Sequence, residues 1–308
     1  MTKKPRSTDH PLVFDAPLPG FIDPCKPTMV TKPPPGAAWL HEIKWDGYRI
    51  QIAIDAGNVT IFSSTGLDYS KRFPSIAAAA TELPMRNAVI DGEAVVLDDQ
   101  GRPRFGLLQA ALKKGGARDA ICYVFDLLFW DGLDIRAWPL DTRRTVLEGI
   151  IADAPNEIRF SEEIHAEGSR VYALACEHEL EGIVSKRRDR PYHSGRSQDW
   201  LKVKCIKHEV FIIIGYQPGK RGGLGALHVA IKEGAGLTYR GAVGTGFSER
   251  VAHDLKVMLD SIRVTKAPIV GLRIKQAVWC QPLVKANVAY RDITGDGLLR
   301  HSAFAGLA

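Results

Sequence analysis

Residues 42–49 read Glu-Ile-Lys-Trp-Asp-Gly-Tyr-Arg, with Lys44 two residues before an Asp-Gly pair. A lysine amine is a nucleophile only when unprotonated, and partial desolvation favours that form. Apolar residues flank it at Leu40 and Ile43, then alternate through Ile50, Ile52 and Ile54. The pattern predicts a strand, a tight turn at Asp46-Gly47 and a second strand, with Lys44 at the mouth of a sheet. Taken alone, the octapeptide also describes an ordinary hairpin with a surface lysine. Lys202 and Lys204 alternate with apolar residues after Trp200, as on any half-exposed strand. The nine histidines and five cysteines show no paired spacing, so neither a zinc site nor disulfides are expected and the cysteines read as small apolar residues.

Such residues need elements to hold them. Residues 1–37 are rich in proline, ending in Pro33-Pro34-Pro35, and read as an extended arm. From Trp39 strands dominate, with helices expected at 75–83, 105–114, 140–152 (capped near Asp141) and 166–180. Residues 87–98 read as a strand pair about Asp91-Gly92-Glu93. The apolar run from Ile121 to Trp130, interrupted by Asp126, reads as a buried strand. After Cys205-Ile206-Lys207 the pattern changes to five short strands, one helix at 248–259 and glycine-rich joints, which suggests a small barrel of the OB type. The expected architecture is α+β, with an arm over 1–37, a mixed domain over 38–204 and a β-barrel domain over 205–308.

Composition agrees with two globular domains: 308 residues, 45% hydrophobic and 25% charged. No apolar run reaches the ~18 residues of a membrane span, and the polar N-terminus lacks an apolar signal core, so a cytoplasmic, nucleoid-associated monomer with no membrane contact is expected. The net charge of +6 is uneven. Residues 205–308 hold seven Lys and seven Arg against seven acidic residues, which points to a polyanion partner or simply to solubility.

Six pieces in order resemble the covalent nucleotidyltransferases, which include ATP-dependent DNA ligases, RNA ligases and capping enzymes. They are Lys44-Trp45-Asp46-Gly47 with Arg49, Asp91-Gly92-Glu93, Phe125-Asp126, Glu181 to Lys186, and Trp200 to Lys204. With Gly195-Arg196-Ser197 and Asp296 to His301, the chain most resembles bacterial ATP-dependent DNA ligases of the non-homologous end-joining type, over residues 38–306.

The resemblance implies a nucleotidyltransferase domain of ATP-grasp-like antiparallel sheets with helices, followed by an OB-fold domain. It implies covalent AMP on Lys44, with Asp46 orienting Lys44 or a metal-bound water, and with Lys202 and Lys204 on the α-phosphate. Glu93 and Glu181 are implied ligands of Mg²⁺, or of Mn²⁺. Arg49 is implied at the ribose, Phe125 under the adenine, Glu42 near the ribose or adenine edge, and His41 or Ile43 at the base through the backbone. Val184 is implied to line the nucleotide site. Implied partners are duplex DNA with nicks or ends and an end-binding protein of the Ku kind.

Two departures stand out. Ser64 occupies the position where the family carries an arginine implied to read a 5′-phosphate, with Lys71 or Arg72 as possible substitutes. The family's last motif is not recognisable after Phe304, and Arg291 or Arg300 are the candidates for its charge. These departures keep two alternatives open: an RNA ligase or capping-type enzyme, or a catalytically impaired nick-binding protein.

Overall fold

The computed structural model describes residues 16–219 and 223–308. The chain divides into two compact units, 1–204 and 205–308. The first fifteen residues of the expected arm lie outside the described residues. Of its remainder, Cys25–Met29 is not a loose extension but a sheet strand.

The strands of the first unit are β1 (Cys25–Met29), β2 (Trp39–Ile43), β3 (Tyr48–Asp55), β4 (Asn58–Ser63), β5 (Asn87–Val95), β6 (Ile121–Trp130), β7 (Leu133–Asp134), β8 (Ile158–Phe160), β9 (Gly182–Arg187) and β10 (Gly195–Lys204). Its helices are α1 (Pro74–Ala80), α2 (Phe105–Lys113), α3 (Leu140–Ile151) and α4 (Gly168–Glu177). They form two sheets, ordered β1-β10-β9-β2 and β4-β3-β5-β6-β7, with β8 beside β6. Here the structure corrects the expected hairpin around Lys44. β2 pairs with β9 while β3 pairs with β4 and β5, so residues 44–47 cross from one sheet to the other. The expected strand pair over 87–98 is one continuous strand, and Asp91-Gly92 lies in its middle, not at a turn. Its aspartate finds a buried cation there, which a turn aspartate would not need. The cap expected near Asp141 is also absent: Pro139 starts α3 without a side-chain cap.

Both faces of the larger sheet are covered. Ile50, Ile52 and Ile54 pack with Phe73, Ile76, Leu108 and Leu147 from the helical side. On the other face Val89, Phe125 and Phe129 meet Cys25, Tyr192 and Trp200 from the smaller sheet and the loop before it. This second, aromatic cluster fixes the spacing of the two sheets, and the crossing at residues 44–47 runs beside it.

The second unit has β11 (Lys207–Pro218), β12 (Leu224–Glu233), β13 (Gly236–Val243), α5 (Glu249–Ser261), β14 (Arg263–Val264), β15 (Val278–Cys280), β16 (Lys285–Tyr290), β17 (Asp292–Ile293), β18 (Leu299–Arg300) and β19 (Ala303–Leu307). β11 is shared between partners: residues 207–212 pair with β16 and residues 212–218 with β12. A register shift next to Gly215 lets one strand serve both, and a Cβ there would lie 2.6 Å from the Val278 carbonyl oxygen. The result is a curled, OB-like sheet that does not close into the expected barrel among the described residues. α5 is capped by Ser248, whose Oγ accepts from the Val251 N–H, and packs Leu255 and Leu259 into the core.

The cysteine expectation is corrected in part. Cys176 and Cys205 are disulfide-bonded, whereas Cys25, Cys122 and Cys280 are free and buried. Residues so far apart in sequence leave no spacing signal of a bridge.

Candidate active site

Lys44 is held where the two sheets diverge. Its backbone N–H donates to the Gly182 carbonyl at 2.9 Å, tying it to the start of β9. Two glycines make the approach possible. A Cβ on Gly47 would lie 2.1 Å from the Ala94 oxygen, and one on Gly182 would lie 2.0 Å from the Val203 oxygen. The glycine of the Asp-Gly pair is therefore a close-approach residue. Lys44 Nζ donates to Glu181 Oε2 at 2.6 Å, and Lys204 Nζ lies 3.2 Å from Glu181 Oε1.

A pocket of about 620 Å³ opens above Lys44, a size that suits a nucleotide. Glu42, Ile43, Lys44, Arg49, Glu93, Phe125, Val184 and Lys202 line it, together with Pro27, Trp45, Lys186 and Trp200. Eight of the residues marked in the sequence thus converge from β2, β3, β5, β6, β9 and β10. Glu181 and Lys204 join them through the ion pairs to and beside Lys44. Asp46 is half-buried and does not line the pocket.

Residues 25–204, the whole of this pocket, match the family described as the ATP dependent DNA ligase domain, and residues 220–308 match its C terminal region. The chain belongs to the ATP-dependent DNA ligase family. It is 34% identical over 301 residues to the multifunctional non-homologous end joining protein LigD of Pseudomonas aeruginosa, covering 94% of this chain and 36% of that protein. It is 35% identical over 277 residues to the Mycobacterium tuberculosis LigD, covering 87% and 36%. The chain thus spans about a third of the length of these relatives. The crystal structure of the ligase domain of M. tuberculosis LigD is similar with a TM-score of 0.56 at 32% identity, over 92% of this chain and 94% of that one. Together these establish the α+β architecture of nucleotidyltransferase domain plus OB-fold domain.

Within this ligase frame, three expected roles meet different geometry. Arg49 reaches Asp91 with Nε at 2.9 Å and Nη2 at 2.6 Å, and its Nη1 donates to the Cys25 carbonyl at 2.5 Å. With Tyr192 Oη donating to the same Asp91 at 2.8 Å, Arg49 is built as a wall rather than as an open ribose reader. Phe125 is only 8% exposed and meets Trp200 edge-on, so it enters the pocket from the core. Both Glu181 oxygens face lysines, which leaves Glu93 as the acidic group better placed for a cation.

Burial pushes the Glu93 pKa up to about 7, opposed by Lys44 and Arg49 and reinforced by Glu181 and Asp91. Burial, then the ammonium groups of Lys44 and Lys204, lowers that of Lys202. A raised carboxyl pKa means Glu93 is protonated below about 7 and anionic above it. Metal-dependent self-labelling with ATP should therefore fall as pH drops through about 7, with a midpoint that moves down as Mg²⁺ rises, because metal and proton compete. Glu93→Gln should remove that limb, and a pH profile at two Mg²⁺ concentrations checks it.

Sequence reading missed the groups behind Glu42. Arg144 from α3 reaches Glu42 Oε1 at 2.8 Å, and Ser161 Oγ reaches Oε2 at 3.1 Å. Lys186 Nζ, 2% exposed, lies 2.8 Å from Oε1. Burial lowers the Lys186 pKa, opposed by Glu42 and aided by Arg144. An aspartate-free Arg143-Arg144 pair on an amphipathic helix gave no cue that one arginine crosses to β2.

Proposed function

We propose that this chain seals breaks in duplex DNA through a lysyl-AMP intermediate on Lys44. The observation that carries the reading is Lys44 Nζ at 2.6 Å from Glu181 Oε2, at the mouth of a pocket whose other lysines are Lys202 and Lys204. The Lys44 nitrogen attacks the α-phosphorus of ATP. A P–N bond forms, the bond to pyrophosphate breaks, and Glu181 Oε2 is the nearest acceptor for the proton leaving nitrogen. Lys202 and Lys204 offset the charge that spreads over the phosphate oxygens. A 5′-phosphate at the break then takes the AMP, and a 3′-hydroxyl displaces it to join the strands.

The residues present fit a hard cation in one respect. Glu93 is a pocket carboxylate with no ion-pair partner among the described residues, and Mg²⁺ commonly uses one or two carboxylates with substrate phosphates. No group of three metal-ligating side chains exists among the described residues, which agrees with such a substrate-completed site. When bound, Mg²⁺ or Mn²⁺ would neutralise phosphate charge beside Glu93. The net positive charge of residues 205–308 suits the duplex backbone. Relatives carrying the name of non-homologous end joining proteins support work at DNA ends, with a Ku-like protein as the fitting partner and the nucleoid as the setting.

The test uses ATP labelled at the α-phosphate. Acid-stable label on the protein that a nicked duplex discharges, with joined product and no label on Lys44→Ala, is the expected result. Label from GTP instead would favour a capping-type enzyme, and duplex binding without any label an impaired nick binder.

A further inference from the structure

The base end of the pocket can be read by elimination, given the proposed assignment of its lysine-rich end to phosphates. The Arg49 donors go to Asp91 and the Cys25 carbonyl. The backbones of Glu42 and Ile43 face Val184 and Ile183 across the β2–β9 ladder. Two polar side chains keep open valence towards a base, Glu42 and Lys186.

Glu42 is held as an acceptor from behind. Arg144 Nη1 and Lys186 Nζ both lie 2.8 Å from Oε1. On Oε2 a relay sets the direction. Trp45 Nε1 donates to Ser161 Oγ at 3.0 Å, so the Ser161 proton points to Oε2 at 3.1 Å. An indole can only donate, hence the polarity of the chain is fixed. Trp45 is itself clamped on Tyr123, with ring centroids 3.5 Å apart and planes 9° off parallel. Of the roughly four lone-pair sites of a carboxylate, the one left open is on Oε2.

Lys186 has the opposite vacancy. Its contact with Glu42 is an ion pair without in-line hydrogen-bond geometry, and its Nζ is buried with no hydrogen-bond acceptor among the described residues. It sits 4.2 Å from the centroids of both Phe125 and Trp200, at the pocket wall. A buried donor without an acceptor is costly, which makes it a waiting partner for a ligand.

We infer that Glu42 and Lys186 together read the Watson–Crick edge of adenine, Glu42 Oε2 accepting from the 6-amine and Lys186 Nζ donating to N1, while Arg144, Ser161 and Trp45 are positioning residues that fix Glu42 as an acceptor. Guanine presents the inverse pattern: its O6 would face the carboxylate and its N1–H the ammonium, so both contacts become repulsive. The residue between lysine and aspartate in Lys44-Trp45-Asp46 thereby links the nucleophile's segment to base choice. This inference rests on the pocket being the ATP site.

The test is self-labelling kinetics with α-labelled ATP, 1-deaza-ATP (no N1) and purine riboside triphosphate (no 6-amine). On the parent protein each analogue should lose about 10- to 100-fold in kcat/KM relative to ATP. Lys186→Met should abolish the penalty for 1-deaza-ATP and keep that for the purine riboside. Ser161→Ala should relax only the purine riboside penalty, by about tenfold, and Ser161→Thr should restore it. A purely structural role would lower all three nucleotides equally and leave the ratios unchanged, which overturns the positioning assignment. A parent that uses either analogue as well as ATP overturns the base reading without any variant. Absence of label with every nucleotide would instead sink the ATP-site reading on which this one stands.

Discussion

Asp126→Ala should destabilise the first unit by about 3–5 kcal/mol, because it strands a buried cation. Asp126 and Arg143 are both 0% exposed. Their contact is bidentate, Nε to Oδ1 at 2.7 Å and Nη2 to Oδ2 at 2.8 Å. Arg143 also donates to the Trp138 and Arg190 carbonyls, so the guanidinium joins β6, α3 and the loop after β9. Without the carboxylate, a charge with no counter-ion remains in the core, and the double variant Asp126→Leu with Arg143→Met should recover much of the loss. Urea unfolding followed by near-UV circular dichroism checks both. A single variant within about 0.5 kcal/mol of the parent would show that the cation reaches water, and the pair would then be no anchor.

The sequence marked this aspartate only as an interruption in an apolar strand, and the reason lies in range. Local signals were strong where a residue's neighbours decide its structure: β6, α2, α5 with its Ser248 cap, and the change of pattern at Cys205. The order of motifs, a resemblance rather than a local signal, located Lys44, Glu93, Glu181 and Lys202. What stayed hidden depends on pairings across the chain. Alternation around Asp46-Gly47 looks the same whether two strands form a hairpin or enter separate sheets, and only the β2–β9 and β3–β5 ladders decide it. Asp91-Gly92 resembles a turn because its partner, Arg49, is forty-odd residues away and its glycine is demanded by Cys122, whose Sγ would lie 2.6 Å from a Cβ. Arg143 and Arg144 look alike in sequence. One braces the core and the other reaches the pocket, and a helix's rotation relative to β6 separates the two roles.

Glu181→Ala should slow self-labelling of Lys44 by about 10²–10⁴-fold while the protein stays folded. Glu181 is 3% exposed at the side chain and stands between two lysines, 2.6 Å from Lys44 Nζ and 3.2 Å from Lys204 Nζ. It does two things at once. It fixes the direction of the Lys44 side chain, and it offers the nearest oxygen for the proton that must leave nitrogen. Its removal also brings the ammonium groups of Lys44, Lys202 and Lys204 face to face without a counter-charge, which favours swinging Lys44 out of line. ATP brings phosphate charge that partly relieves this repulsion, so the loss should fall on kcat more than on KM. Glu181→Gln keeps the size and one acceptor oxygen but cannot take the proton, and it should recover KM without recovering kcat. Glu181→Asp withdraws the carboxylate by one methylene and should lie between parent and alanine. Single-turnover labelling at saturating ATP measures these differences directly. If Glu181→Gln labels as fast as the parent, proton acceptance by Glu181 is wrong, and its role reduces to holding two lysines in place.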